Sequence, residues 1–351
     1  MNAPASITWP DEARRLAFEQ WLADLAPAHG LDPGSVAPAS ADASFRRYLR
    51  VRGSQGDLIV MDAPPALEDC KPFVKVAAML KQAGLNAPRV LAWDPAQGFM
   101  LLSDMGRELY LDVLHGADDA TIQSLMLDAI SALVRWQAGT LADSSAHGLP
   151  PYDAALLTRE LELFPTWCVQ REHGVQWDAA QQAQWQAVSR ALLDSALAQP
   201  RVAVHRDYMP RNLMVADPNP GILDFQDAVL GPITYDMASL LRDAFISWDE
   251  ERELDWAVRY WQAARAASLP VQEDFAEFWR ALEWMGTQRH LKVLGIFCRL
   301  KHRDGKPKYS QDLPRFFAYV RRVAMRYTQL APLLALLEPL DGGQVQAGYT
   351  F

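Results

Sequence analysis

Residues 202–226, reading VAVHRDYMPRNLMVADPNPGILDFQ, hold three polar side chains whose types and spacing suit one reaction. Asp207 closes the run His205-Arg206-Asp207, Asn212 follows five residues later, and Asp224 comes twelve residues after that. Moving a phosphoryl group from ATP to an alcohol needs a residue that orients the hydroxyl and accepts its proton. It also needs hard oxygen ligands for the magnesium that neutralises the phosphates. Asp207 suits the first role; Asn212 and Asp224 suit the second.

The surrounding elements must present these groups. Val202-Ala203-Val204, Leu213-Met214-Val215 and Gly221-Ile222-Leu223 read as brief buried strands, and Asp217-Pro218-Asn219-Pro220-Gly221 as a turn. The expected arrangement is a loop carrying Asp207 and Asn212, a strand, a tight turn, and a second strand delivering Asp224. Upstream, a helical stripe at Leu16, Phe18, Trp21, Leu22 and Leu25 ends near Pro27 and Gly30. Residues 35–51 then alternate around a loop at 41–45, and Gly53-Ser54-Gln55-Gly56 turns the chain into a strand at 58–61. A helix covers 72–83, and 90–93 with 99–102 make a further hairpin. From Leu109 the pattern is mainly helical, with periodic segments at 121–138, 179–198, 254–267 and 275–300. Among them, 152–167 sets Arg159, Glu160 and Glu162 beside Phe164 and Trp167. Such a mixture either lines an acceptor pocket, since sugar faces stack on rings while hydroxyls bond to carboxylates, or is an amphipathic helix with its charges in water.

Composition narrows the class. The 351 residues have room for two domains or one bilobal unit, and 50% hydrophobic with 22% charged residues is an ordinary globular balance. A net charge of −9 argues against nucleic acid or an anionic membrane as the main partner. Cys70, Cys168 and Cys298 are too few and too scattered for a disulfide framework or a zinc cluster, which fits a reducing cytoplasm. Charges at Asp11, Glu12, Arg14 and Arg15 interrupt any signal-peptide pattern, and the apolar run at 330–340 is too short to span a bilayer. The expectation is a soluble cytoplasmic protein with no obligate protein partner.

His-Arg-Asp, four residues, Asn is the spacing of the kinase catalytic loop, and Asp224-Phe225 stands where the metal-binding Asp-Phe-Gly begins, with Gln226 replacing the glycine. On these residues the chain resembles the aminoglycoside phosphotransferase and choline kinase group. Gly231-Pro232-Ile233-Thr234-Tyr235-Asp236-Met237-Ala238 resembles the same group, in which the aspartate braces the catalytic loop. The resemblance implies an α+β, bilobal protein-kinase-like fold, with a small antiparallel-sheet N-lobe plus helices over 1–105 and a larger, mainly helical C-lobe over 106–351. It implies nucleotide contacts from the loop at 40–45, with Ser44, Phe45 and Arg46 near the phosphates, although an exposed hairpin with basic edges is the alternative. It also implies a hinge at Asp104 and Met105, where Ser103-Asp104-Met105-Gly106 reads equally as a plain strand-to-helix turn. Kinases carry a phosphate-binding lysine on the strand before the first N-lobe helix. Here Met61 and Asp62 occupy it, and Asp62 either pairs with Lys71 or Lys75 or leaves those lysines solvated.

Four segments narrow the resemblance: Ala43-Ser44-Phe45-Arg46-Arg47-Tyr48, Val60-Met61-Asp62-Ala63-Pro64-Pro65, Gln288-Arg289-His290-Leu291-Lys292-Val293-Leu294-Gly295-Ile296-Phe297, and Arg303-Asp304-Gly305-Lys306-Pro307. They are similar to the anomeric amino-sugar kinases of bacterial peptidoglycan recycling, which also lack the strand lysine, and the likeness covers most of the chain. Those enzymes use ATP and Mg2+ to convert N-acetylmuramate and N-acetylglucosamine to their 1-phosphates, so ATP and a small amino sugar are the implied partners. In this fold Arg211 faces the acceptor, where a guanidinium suits the lactyl carboxylate of N-acetylmuramate; otherwise Arg211 caps a helix or meets Asp227 or Glu160. Asp227 is a candidate for a sugar hydroxyl, and Glu160 and Trp167 for the rest of the pocket. Two other classes share the motif: a kinase for an aminoglycoside, choline or homoserine, and a non-catalytic nucleotide-binding scaffold.

Overall fold

Residues 7–40, 46–142 and 144–341 are described by the structure, a computed structural model. They fall into two units: Met1–Glu108 with Met214–Asp227, and Leu109–Leu213 with Ala228–Phe351.

In the first unit, the Asp11 side chain accepts the Arg14 amide at 2.7 Å and caps α1 (Glu12–His29), which ends at Gly30 in a left-handed conformation. The helix runs through Pro27 to His29. Strands β1 (Asp32–Ser40), β2 (Arg47–Gly53), β3 (Gly56–Asp62), β4 (Val90–Asp94) and β5 (Phe99–Ser103) form one antiparallel sheet ordered β1-β2-β3-β5-β4. Period-two alternation sorts its faces. Leu49, Val51, Val60 and Leu101 pack with Phe18 and Leu22 of α1, which leaves Arg50 and Arg52 on the opposite face. The helix α2 (Lys71–Gln82) buries Phe73, Val76, Ala77, Met79 and Leu80. That burial turns Lys71 and Lys75 outward. Fully buried Asp62 is accordingly not paired with either lysine. It accepts Arg14 Nε at 3.1 Å from α1 and Arg47 Nη2 from β2.

The division expected at 105/106 falls after Glu108, and a later stretch of chain joins the first unit. Backbone pairing explains this: Val215 N donates to the Glu108 carbonyl at 2.9 Å and Ile222 N to the Asn86 carbonyl at 2.8 Å. Asn86 Nδ2 donates to the Pro218 carbonyl at 2.6 Å. Phe225 then packs on Phe73 with ring centroids 4.7 Å apart.

The second unit contains α3 (Tyr110–Leu114), α4 (Asp119–Ala142), α5 (Ala154–Leu161), α6 (Ala179–Leu197), α7 (Tyr235–Leu241), α8 (Glu250–Ala266), α9 (Phe275–His302), α10 (Leu313–Arg326) and α11 (Pro332–Asp341). A two-stranded ladder pairs β6 (Arg201–Val204) with Val229–Pro232. The partner strand was not legible because Gly231 and Pro232 carry turn signals. Gly231 is needed for packing, since a Cβ there would meet the Tyr152 Cβ at 2.9 Å. Residues 152–167, for which an amphipathic helix is one of two readings, include α5 followed by a π-helical stretch, Phe164–Glu172. Pro165 lacks the N–H that would continue an α-helix, and the backbone widens into the longer register. No helix among the described residues is long and apolar enough to cross a membrane. Cys70, Cys168 and Cys298 are buried free thiols.

α9 is buried on several faces along most of its length, and it passes so close to Leu163 that a Cβ on Gly295 would lie 2.4 Å from the Leu163 carbonyl carbon. Gly295→Ala therefore forces backbone displacement and is expected to cost about 1–3 kcal/mol of stability. The check is the urea midpoint of unfolding; an unchanged midpoint means the two segments separate at no cost.

Candidate active site

The loop after β6 is organised by one buried carboxylate. Asp236, at the start of α7, is fully buried and accepts the backbone amides of His205 at 2.6 Å and Arg206 at 2.9 Å. Burial pushes its carboxyl up to about 7, opposed by those two amides. Arg206 sits at φ 77, a left-handed conformation that a non-glycine residue holds only when its surroundings insist. Asp207 follows, half-buried, and its carboxylate accepts no hydrogen bond among the described residues. Asn212, which is 9% exposed, donates its amide nitrogen to the Asp207 carbonyl oxygen at 2.9 Å, which ties it to the same loop. The loop is anchored beneath by Tyr208, buried, with its hydroxyl on the Ala129 carbonyl at 2.7 Å.

Glu160, expected as an acceptor contact, is instead buried with both carboxylate oxygens committed. Oε1 takes Arg206 Nη2 at 2.7 Å and lies 2.8 Å from Lys292 Nζ, and Oε2 accepts the Tyr152 hydroxyl. Trp167 is half-buried against the helical core of the second unit. The Arg211 guanidinium lies over the Phe245 ring at 5.0 Å.

In the first unit, Asp224 is exposed and held at φ 60, and Gln226 Nε2 donates to its Oδ1 at 2.9 Å. A glycine at 226 could not make that contact, which gives the departure from Asp-Phe-Gly a physical role. Asp227 is exposed. Arg46 pairs with Glu68 at 3.0 Å. Ser44 and Phe45 lie outside the described residues. Asp104 is held by Arg50, whose Nη2 reaches its Oδ1 at 2.9 Å and the Gly106 carbonyl at 2.8 Å. Asp104 therefore presents backbone, not a free carboxylate, at the expected hinge. Met105 is half-buried, with its methyl 3.1 Å from where a Cβ on Gly221 would stand. On the sheet face opposite α1, Ser35, Ala37, Pro38, Arg50, Arg52, Asp57 and Arg107 line a cavity of about 270 Å³ in which the three guanidiniums are paired with Asp104, Asp32 and Asp57.

Sequence reasoning singled out Asp207, Asn212, Asp224 and the bracing Asp236, but missed the work of Lys292, Tyr152 and Tyr235. A lysine inside the apolar run Leu291-Lys292-Val293-Leu294 was the available signal, because a charge at a buried helix position needs a partner.

Comparison with known proteins matches residues 35–285 to the phosphotransferase enzyme family (APH). An N-acetylmuramate/N-acetylglucosamine kinase of Pseudomonas putida is 53% identical over 335 residues, covering 95% of this chain and 95% of that protein. A protein of the same name from Pseudomonas aeruginosa is 49% identical and covers 95% and 98%; one from Neisseria meningitidis is 47% identical and covers 96% and 99%. Among solved structures, a choline kinase from Cryptosporidium parvum has a TM-score of 0.60 at 12% identity, covering 91% of this chain and 99% of its own. An aminoglycoside phosphotransferase, APH(2'')-Ib with ADP bound, has a TM-score of 0.55 at 12% identity, covering 86% and 97%. The two structures share the protein-kinase-like fold with this chain.

Because the folded-state carboxyl of Asp236 is raised from near 4 to about 7, its contribution to stability is fully present below pH 4 and is lost as pH rises through 7. The unfolding free energy of the native chain relative to Asp236→Asn should therefore fall by a few kcal/mol, to order of magnitude, between pH 4 and pH 8. Urea titrations at several pH values read this, and a difference that stays flat or grows with pH overturns the assignment.

Proposed function

The chain belongs to the phosphotransferase enzyme family, and on that premise we propose that it transfers the γ-phosphoryl group of ATP to the anomeric hydroxyl of N-acetylmuramate and N-acetylglucosamine, yielding the 1-phosphates used in peptidoglycan recycling. The observation that carries this reading is the 53% identity to a kinase of that name over nearly the whole chain. The Asp207 carboxylate, which accepts no hydrogen bond among the described residues, is in keeping with it.

Asp207 is the base. Its carboxylate orients O1 of the sugar and takes the O1 proton as the O1–Pγ bond forms and the bond from Pγ to the β,γ-bridging oxygen breaks, leaving ADP. An anomeric hydroxyl is more acidic than an ordinary alcohol, which eases its deprotonation by a carboxylate. Asn212 and Asp224 offer oxygen donors only, a set that fits magnesium and excludes a preference for softer metals. When bound, that ion neutralises charge on the phosphates. Arg211, steadied over Phe245, is the residue for the lactyl carboxylate of N-acetylmuramate, and Asp227 for a sugar hydroxyl. Backbone near Asp104 and Met105 serves the adenine, and Arg46, with Ser44 and Phe45, the phosphates. ATP and the free buried thiols agree with a cytoplasmic setting.

Phosphorus NMR of the protein with ATP, magnesium and N-acetylmuramate should show a sugar phosphate coupled to the anomeric proton. Coupling to the C6 protons would move the acceptor hydroxyl, and no product with either amino sugar would return the question to aminoglycosides, choline and homoserine. Asp207→Asn should lower kcat by about 10²–10⁴-fold with ATP binding retained. Turnover near the native value in that variant would remove Asp207 from the base role.

A further inference from the structure

Two clamps converge on Arg206, the residue that precedes the base. One acts on its backbone: Asp236 takes the Arg206 amide at 2.9 Å. The other acts on its side chain: Glu160 takes Nη2 at 2.7 Å. Lys292, buried in α9, joins them. Its Nζ lies 2.8 Å from Glu160 Oε1 and donates to the Tyr235 hydroxyl at 3.1 Å, and Tyr235 is the neighbour of Asp236. Tyr152 closes the group by donating to Glu160 Oε2 and packing edge-on against the Tyr235 ring at 5.3 Å.

We propose that Glu160 and Lys292 are positioning residues for the phosphoryl-transfer base, acting through Arg206 without touching substrate. The proposal rests on the kinase reading above. Its physical basis is the conformation of Arg206. A left-handed backbone at a non-glycine residue is strained and persists only when held. The direction of the Asp207 side chain follows from that backbone. Glu160 shares one oxygen between two cations, so removing it leaves Arg206 and Lys292 unpaired and mutually repelling in a buried place. Burial pushes the Glu160 carboxyl up, yet Lys292 and Arg206 draw it below the ordinary range, so the carboxylate is the form that grips. Buried, with Arg206 and Lys292 on one oxygen and Tyr152 on the other, it faces protein partners on both oxygens.

The test uses the full chain with ATP, magnesium and N-acetylmuramate, and the variants Lys292→Met, Lys292→Arg and Glu160→Gln, alone and combined with Asp207→Asn. Lys292→Met and Glu160→Gln should lower kcat by about 10–100-fold while KM for both substrates stays within about twofold, the signature of a misaimed base. Lys292→Arg, which keeps the charge, should recover most of the loss. In the Asp207→Asn background Lys292→Met should add little, because the group it positions is already gone. A raised KM for the amino sugar with kcat kept would make these residues acceptor contacts and overturn the proposal. So would a full multiplicative loss in the Asp207→Asn background, or equal loss for Lys292→Met and Lys292→Arg. Native-like turnover by Asp207→Asn alone is a different failure, that of the base reading itself, and takes the positioning role with it. Should Glu160→Gln fail to fold, the three Lys292 comparisons decide.

Discussion

The active loop depends on a carboxylate with no contact to solvent. Asp236 could have been any side chain that fills its volume, but only an acceptor with two oxygens can hold the adjacent amides of His205 and Arg206. Buried amides without partners are expensive, and a buried carboxylate without donors is more so; here each removes the penalty of the other. The result is a backbone turn of fixed shape, in which Arg206 is held left-handed and Asp207 follows with a carboxylate that accepts no hydrogen bond among the described residues. Strain at 206 is the local cost of that aim.

A second left-handed residue, Asp224, sits at the other acidic position, where Gln226 supplies the restraint. Both polar positions expected to handle phosphate chemistry are thus reached by backbone that no propensity favours, and each is stabilised by a side chain two residues or more away. Such conformations cluster where function demands them and are sustained by neighbouring packing: Phe225 against Phe73 in the first unit, Tyr208 on α4 in the second.

In the first unit, where Met61 and Asp62 stand in place of a strand lysine, the buried charges are paired with arginines. Asp62, at the end of β3, does not reach for the following helix but neutralises Arg14 and Arg47, while Arg46 pairs with Glu68. The face of the sheet away from α1 carries Arg50 and Arg52, and Arg50 is tied to Asp104 in a fork geometry that a lysine could not form. Each of these arginines has a carboxylate partner, in keeping with the acidic chain as a whole.

The amino-acid sequence alone determined most element types, the five-stranded start, the helical remainder and the spacing of Asp207, Asn212 and Asp224, but not the strand at Val229–Pro232 or the π-helical stretch Phe164–Glu172. These are carried by local periodicity, turn residues and short motifs, which depend on neighbours a few positions away. Even Asp236 was legible, through the run that surrounds it. What it left open was which charges meet. Glu160 looked like a pocket residue because a carboxylate beside aromatic rings is ambiguous, and only the fold brings Arg206 from 46 residues away, and Lys292 from α9, onto its oxygens. Asp62 had two lysines close in sequence and chose two arginines, because α2 must bury its apolar face and so points those lysines outward. Ion-pair choice is set by which faces the core claims first, and that is decided in three dimensions.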